Sequence, residues 1–505
     1  MTLLKCLAAP WLELGNDEVY YWTYAVRPAA NYFDHPPGIA ALILLTTLKG
    51  WWVNTFSLRL GAILCCAVST FLVFRLGKLL FSEQTGWYAA LLYNASVYAG
   101  WIAGFFILPD SIQLPFYLAA LLAMAHLVRY PQLEQKAWIW LSLGALIGLA
   151  ALCKIHGLFL WGGFGLFLLL NRPKVFLQKG IYLGGLTTLV FLLPILWWNV
   201  QFDFITYRFH ADRIDHDGLQ WTAFLQEVLG EFAYQNPLVY IAVIMGLVQA
   251  IRQYKTHDQK EVFSFLFCLG LPLIALFWGI ALRNPTLPHW SGPGFLPLYI
   301  VAAQAWAQKS QGFRRFIFPL YFRWALGFVV VVLALGIALV QNAPRNFGSQ
   351  EKNNYGEYCP SLDLSGWADL GQQFGQLVAA DQSSGTMGKN AVLLTHKWFP
   401  GGHLAFYVAR PVGMDLVGIG ALTDLHQFAW LNLDLPPLVL GQDAYAIVPS
   451  NLPMDPTSIF GPYFKTLEKP LVWTQERGGK TVRYFYVYRL KNCVQVPPSA
   501  LLAQP

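Results

Sequence analysis

Two adjacent carboxylates, Asp17 and Glu18, stand in the run NDEVYYW from Asn16 to Trp22 and are followed by Tyr20, Tyr21 and Trp22. A carboxylate at a membrane surface can act as general base on an acceptor hydroxyl or hold a divalent cation, and aromatic faces suit a sugar or a lipid headgroup. The same residues also suit a solvated helix cap beside an aromatic belt. In NYFDHPPG, Asp34 and His35 precede a double proline that fixes the backbone. An oxygen and a nitrogen ligand mounted side by side can meet a metal or a phosphate; Asp34 can equally cap a helix. Asp110, in LPDS, is either another cap or a carboxylate set close to hydrocarbon for a functional reason. Lys154 and His156 are the strongly polar side chains of LCKIHG, where a lysine either binds a lipid phosphate or snorkels to the interface. The segment YRFHADRIDHDG mixes Arg208, His210, Asp212, Arg213, Asp215, His216 and Asp217, a density that also fits a solvated loop. Within it His210, next to Phe209, is the residue best placed for a site. In RNPTLPHWSGPG, His289 and Trp290 can line a sugar cleft or belong to a rigid connector.

The elements that must position these residues are membrane spans. Only 12% of the 505 residues are charged and 56% are hydrophobic, well away from the roughly 25% charged residues of an average soluble domain. Stretches long enough to cross about 30 Å of hydrocarbon run over 57–80, 86–107, 111–129, 137–153, 155–171, 180–198, 237–251, 261–281, 293–308 and 319–341. The segment from Pro36 to Trp52 is apolar but short, opens on two prolines and closes on Lys49 and two tryptophans, so an interfacial or re-entrant helix is expected there. The fold class expected is an α-helical polytopic membrane protein of about ten to twelve transmembrane helices plus that interfacial helix. A small C-terminal extracytoplasmic α/β domain completes it.

Charge sets the expected orientation. Of the 22 basic residues before position 342, 14 fall in one alternate set of loops, which the positive-inside rule makes cytoplasmic. The opposite set carries 11 of the 15 acidic residues of that region, Asp17, Glu18, Asp34 and Asp110 among them. From position 342 onward, 12 basic residues balance 12 acidic ones, so the net charge of +7 belongs to the membrane region and gives no support to nucleic-acid binding.

Composition also divides the chain into a transmembrane domain over 1–341 and a domain over 342–505 on the outer face. The latter has strand-like runs at 391–395, 444–448 and 483–490 and a helical pattern from Gly366. Cys359 and Cys493 bracket it, either as a disulfide closing its ends or as two free thiols. The segment before Asp17 is too short to span, although the orientation calls for a crossing there; the first helix is either truncated or partial.

Taken in order, DEVYYW, YFDHPPG, the Pro109-Asp110 turn, the Cys153-Lys154 turn, LWWNVQFDFITYRFH and LPHWSGPG resemble the GT-C superfamily of polytopic glycosyltransferases. The similarity is to the bacterial group related to protein O-mannosyltransferases and the lipid A aminoarabinose transferase. It runs from about Leu14 to Val340, and GWADLGQQF with HKWFPGGHLAFY looks like the outer C-terminal domain of that group. The resemblance implies transfer of a sugar from a polyprenyl-phosphate carrier to a protein, lipid A or another glycan or lipid, on the periplasmic face of a bacterial inner membrane. It places the catalytic carboxylate on Asp17 with Glu18 beside it, and a helper acid on Asp110. It puts phosphate or donor binding on His35 and Lys154, with Tyr20 and Tyr21 alongside, and a divalent metal on Asp34 and His210. His35 stands where the aminoarabinose relatives have a lysine. No nucleotide cofactor is implied, in keeping with the lack of a Walker loop or dinucleotide fingerprint in the sequence. Two rival readings are a transporter or flippase, which calls for ionisable residues or broken helices near the midplane, and an O-antigen ligase or polymerase, which calls for outer-loop arginines.

Overall fold

In lipid every backbone polar group must be satisfied within the chain, so the apolar stretches have one economical solution, the helix. The computed structural model describes residues 1–211, 218–253, 259–309 and 318–501 and shows that solution throughout. Helices Thr55–Leu80, Pro109–Arg129, Lys179–Gln201, Lys260–Ala281 and Leu320–Asn342 are each long and apolar enough to cross a bilayer. Shorter apolar helices at Ala137–Cys153 and Phe159–Asn171 join them.

The chain divides into two compact units, one of Met1–Leu7 with Ala29–Val332, the other of Ala8–Pro28 with Leu333–Pro505. In the first, Thr55–Leu80 packs on Pro109–Arg129 and on Glu83–Ala95, and Lys179–Gln201 packs on Ala137–Cys153. That last pair approaches through Gly144 and Gly184: a Cβ on Gly144 would lie 2.1 Å from the Gly184 carbonyl oxygen. Small residues at a helix crossing serve this close approach in membranes. The segment after the double proline forms a nine-residue helix, Gly38–Thr46, which at about 1.5 Å per residue falls far short of a span.

Two departures from the expected spans matter for chemistry. The stretch 86–107 breaks at Ser96 into a helix, a π-helical turn at Val97–Ile102 and a last turn at Ala103–Phe105. Ser96 caps the break, its Oγ accepting from the Ala99 amide at 3.1 Å. The loop expected between 199 and 236 contains a further helix, Trp221–Tyr234, bent by 101° from Pro237–Gln253. Its Glu227 and Glu231 face inward, accepting from the Thr286 hydroxyl at 2.7 Å and the Trp278 indole at 2.9 Å.

The second unit is built on a sheet of β1 (Val392–Thr395), β2 (Leu416–Gly418), β3 (Ala444–Pro449), β4 (Phe464–Leu467), β5 (Leu471–Arg477) and β6 (Lys480–Cys493). The order is β2-β1-β3-β6-β4, with β5 also on β6. β1 runs parallel to β2 and β3, while β6 is antiparallel to β3, β4 and β5. The disulfide reading of Cys359 and Cys493 is not realised: both thiols are free. Cys359 clusters with Val482 near the start of β6, whereas Cys493 ends that strand in a different cluster. Eleven residues of strand, roughly 35 Å at extended rise, separate the two neighbourhoods, against the ~7 Å a disulfide allows.

Candidate functional site

In the first unit, the sequence-selected residues Asp34, His35, Lys154 and His156 line one cavity of about 260 Å³. Their elements hold them by short-range bonds. The Asn31–Pro37 loop closes on itself through the Tyr32 amide donating to the His35 carbonyl at 3.2 Å. It is tied to helix Ile205–Ala211 by the Thr206 hydroxyl donating to the Tyr32 carbonyl at 3.3 Å and by Phe33 against Phe209 at 4.6 Å. Lys154 ends helix Ala137–Cys153, where the Gln113 amide donates to its carbonyl at 2.7 Å.

The charge in this cavity is prepaired. Lys154 Nζ donates to both oxygens of Asp110, at 3.0 and 2.9 Å, and both side chains are almost fully buried. Asp110 also accepts from the Tyr98 hydroxyl at 2.9 Å, a contact that the π-helical break at Val97–Ile102 supplies. Turns of this kind recur at functional positions in helices. Asp110 therefore holds the cation in place. Two further lining atoms, His156 Nδ1 and Asn199 Oδ1, are buried and have no hydrogen-bond partner among the described residues. Buried polar groups are rarely left so, and when they line a cavity they mark where a polar ligand would bond. Trp290 and Phe277 form an apolar wall, their rings 5.9 Å apart. Next to Trp290, His289 is pushed down to about 4 by its burial and by the nearby Lys154 cation, so it stays neutral.

In the second unit, Asp17 and Glu18 open helix Asn16–Val26, and the two part company. Asp17 is exposed, whereas Glu18 is 2% exposed and its Oε2 accepts from the Gly15 amide at 2.8 Å, closing the first turn as an N-terminal box residue does. The approach to this helix is fixed by the C-terminal segments of the same unit. Glu13 caps helix Trp367–Ser384 by accepting from the Trp367 and Ala368 amides at 2.8 and 3.1 Å. The Leu14 amide donates to the Tyr407 hydroxyl at 2.7 Å, and the Asn16 amide donates to Asp363 Oδ1 at 3.0 Å. Tyr20 and Tyr21 are buried in an aromatic cluster: Tyr20 packs on Tyr24 and Trp398 at 5.2 and 4.9 Å, and its hydroxyl accepts from the Gln427 amide.

The metal reading has one described ligand, Asp34; the His210 side chain and residues 212–217 lie outside the described residues. Among the described residues no three His, Cys, Asp or Glu side chains converge as a metal centre would require. Sequence reasoning did not single out Tyr98, nor Asn199 and Thr206, although the latter two lie within LWWNVQFDFITYRFH. The signal for Tyr98 lies in the Ser96 break.

Fold and site together define a polytopic α-helical membrane protein with a cavity around a buried Lys154–Asp110 pair in its helical unit and an α/β unit carrying an exposed acid. Residues 34–198 match the dolichyl-phosphate-mannose-protein mannosyltransferase family. The chain is 26% identical over 330 residues to the lipid A galacturonosyltransferase RgtD of Rhizobium johnstonii, a match spanning 64% of each protein. Its fold is shared with ArnT of Cupriavidus metallidurans. The TM-score is 0.60 at 14% identity against the undecaprenyl phosphate complex, covering 97% of this chain and 96% of that one. Against the apo state it is 0.57 at 15% identity, covering 100% and 97%. The chain is thus similar to polytopic glycosyltransferases, shares the ArnT fold, and has the apolar helices of a multi-pass membrane protein.

Proposed function

We propose that this protein transfers a sugar from a polyprenyl-phosphate-linked donor to lipid A or a similar acceptor on the periplasmic face of the inner membrane. The observation that carries the reading is the cavity of the first unit, where the buried Lys154, fixed by Asp110, lies with His35 and the unpartnered His156 Nδ1. A compact cation with further nitrogen donors in a largely apolar surround matches a phosphate on a lipid tail. Support comes from the likeness to a lipid A galacturonosyltransferase and to ArnT, whose structure holds undecaprenyl phosphate.

The chemistry asked of the residues is modest, because the glycosyl bond to phosphate is already activated. Lys154 and His35 neutralise the departing phosphate, which stays on its lipid. Asp17, the exposed acid, takes the proton of the acceptor hydroxyl as the new glycosidic bond forms, and Glu18 positions its helix. A general base of this kind contributes about 10² to 10⁴ in rate. Asp34 with His210 as ligands of a divalent cation is a subsidiary part of the proposal, tested by chelation and back-titration of the purified protein.

The test is mass spectrometry of lipid A and other envelope lipids from cells with and without the gene, complemented by wild type and by Asp17→Asn. A single acceptor that lacks one hexose or pentose unit without the gene, restored by wild type alone, is the expected result. Unchanged lipids, or full restoration by Asp17→Asn, would overturn the reading.

A further inference from the structure

A cavity of about 460 Å³ in the second unit is not used by the chemistry above. It opens at the carboxyl ends of the parallel strands β1 and β3, lined by Thr395 at the end of the first with His396 and Lys397 beyond it, and by Pro449 at the end of the second with Asn451 beyond it. The crevice outside the carboxyl ends of parallel strands is the habitual ligand position of α/β sheets, and the volume is in the range of small-molecule sites, roughly 300 to 1,000 Å³.

Its polar groups are mainly acceptors. Asn451 is 7% exposed, and its Oδ1 has no hydrogen-bond partner among the described residues; the same is true of Asn16 Oδ1, buried on the same cavity. Asp363 and Glu357 add carboxylates. The one lining ammonium, Lys397, is half exposed and directed to Asp424 at 3.6 Å, while His396 is pushed down to about 4 by burial and by Lys397 and stays neutral. Such a lining disfavours an anion and calls for a ligand with several hydroxyl donors.

The rim supplies an aromatic face. Tyr358 lines the cavity with 88% of its surface exposed, and its backbone is held at a φ of 62°. A bulky residue in the left-handed region carries a conformational cost, and such costs gather at ligand clamps. An exposed aromatic at the edge of a cavity rich in acceptors offers a pyranose partners for its hydroxyls and a face for its C–H groups.

We infer that this cavity is a saccharide site that takes the sugar of the acceptor, with Asn451 and Asn16 accepting its hydroxyls and Tyr358 covering its face. The assignment to the acceptor rests on the transfer reading and on sequence adjacency: Asn16 lines the cavity and the next residue is the exposed acid Asp17. A hydroxyl bound at Asn16 is one residue from the proposed base.

The experiment uses the full chain in lipid nanodiscs and saturation-transfer NMR with methyl glycosides of glucose, galactose and glucosamine, alongside undecaprenyl phosphate binding. At least one glycoside is expected to show saturation that falls fivefold or more in both Asn451→Leu and Tyr358→Ala, with undecaprenyl phosphate binding unchanged. Tyr358 is a surface residue, so its variant reports on the site even where Asn451→Leu does not fold. No saturation on any glycoside, or equal saturation in wild type and Tyr358→Ala, overturns the site. In the transfer assay, acceptor KM should rise about tenfold in Tyr358→Ala with kcat held. Glycoside binding lost with KM unchanged would overturn the acceptor as the source and leave a free saccharide. Were the wild type to transfer no sugar, the proposed function would fall while the NMR result still decided the cavity.

Discussion

The two cavities are built on opposite plans. In the helical unit a buried lysine is already matched by Asp110 and Tyr98, so positive charge is kept in an apolar setting by bonds made before any ligand arrives. In the α/β unit the buried Asn451 and the half-buried Asn16 have side-chain oxygens with no described partner, beside carboxylates and a neutral histidine. A charge cannot be left bare at low dielectric, whereas an amide oxygen can wait for a donor at a far smaller cost. The contrast is what the two proposals rest on, a lipid phosphate at the first cavity and hydroxyls at the second.

The sharpest way to break the contrast is to remove the acid. Asp17→Asn is expected to lower transfer by about 10² to 10⁴, measured as turnover on a polyprenyl-phosphate sugar, with undecaprenyl phosphate binding intact. A fall in binding instead would move Asp17 into donor recognition. Next, Lys154→Met should leave Asp110 buried without its cation and cost about 3–5 kcal/mol in thermal unfolding, with donor binding lost. The double variant Asp110→Asn/Lys154→Met is expected to recover most of the stability and none of the binding. Recovery of both would make the pair purely structural.

Acid sharpens the same unit's electrostatics. His289 is neutral in the fold down to about pH 4, whereas in the unfolded chain it takes a proton below about 6.5. Its contribution, up to about 3 kcal/mol, is present above that unfolded value and is lost as pH falls towards 4. A pH series of melting temperatures should therefore slope less in His289→Gln than in wild type. His35→Ala is expected to weaken undecaprenyl phosphate binding about tenfold, or ~1.4 kcal/mol, by titration in nanodiscs. Smallest of all, Glu18→Gln should cost about 1 kcal/mol of stability and reduce turnover only a few-fold, setting a cap residue against the acid beside it.

Most of the helical architecture was legible because apolar length and flanking charge dictate it. Helix Trp221–Tyr234 escaped because it carries Glu227 and Glu231, which look like loop acids until Thr286 and Trp278 are found to satisfy them. In the α/β unit β1, β3 and β6 read directly from β-branched and aromatic runs, while three-residue β2 and the polar β4 gave no periodicity to read. Lys154, Asp34 and His35 were marked by type and spacing, but their convergence on one cavity depends on helix packing. The pairing of Lys154 with Asp110, 44 residues earlier, lay beyond any local pattern. Adjacency in sequence also hid the division of labour between exposed Asp17 and buried Glu18.

The short helix Asn16–Val26 belongs to the same compact unit as the last third of the chain, anchored through Glu13 to Trp367 and through Leu14 to Tyr407. A ribosome makes Asp17 hundreds of residues before it makes these anchors. The acid is thus seated only when the final unit has closed around it, so an unfinished chain in the membrane already has Lys154 but not yet a seated Asp17, the base we propose.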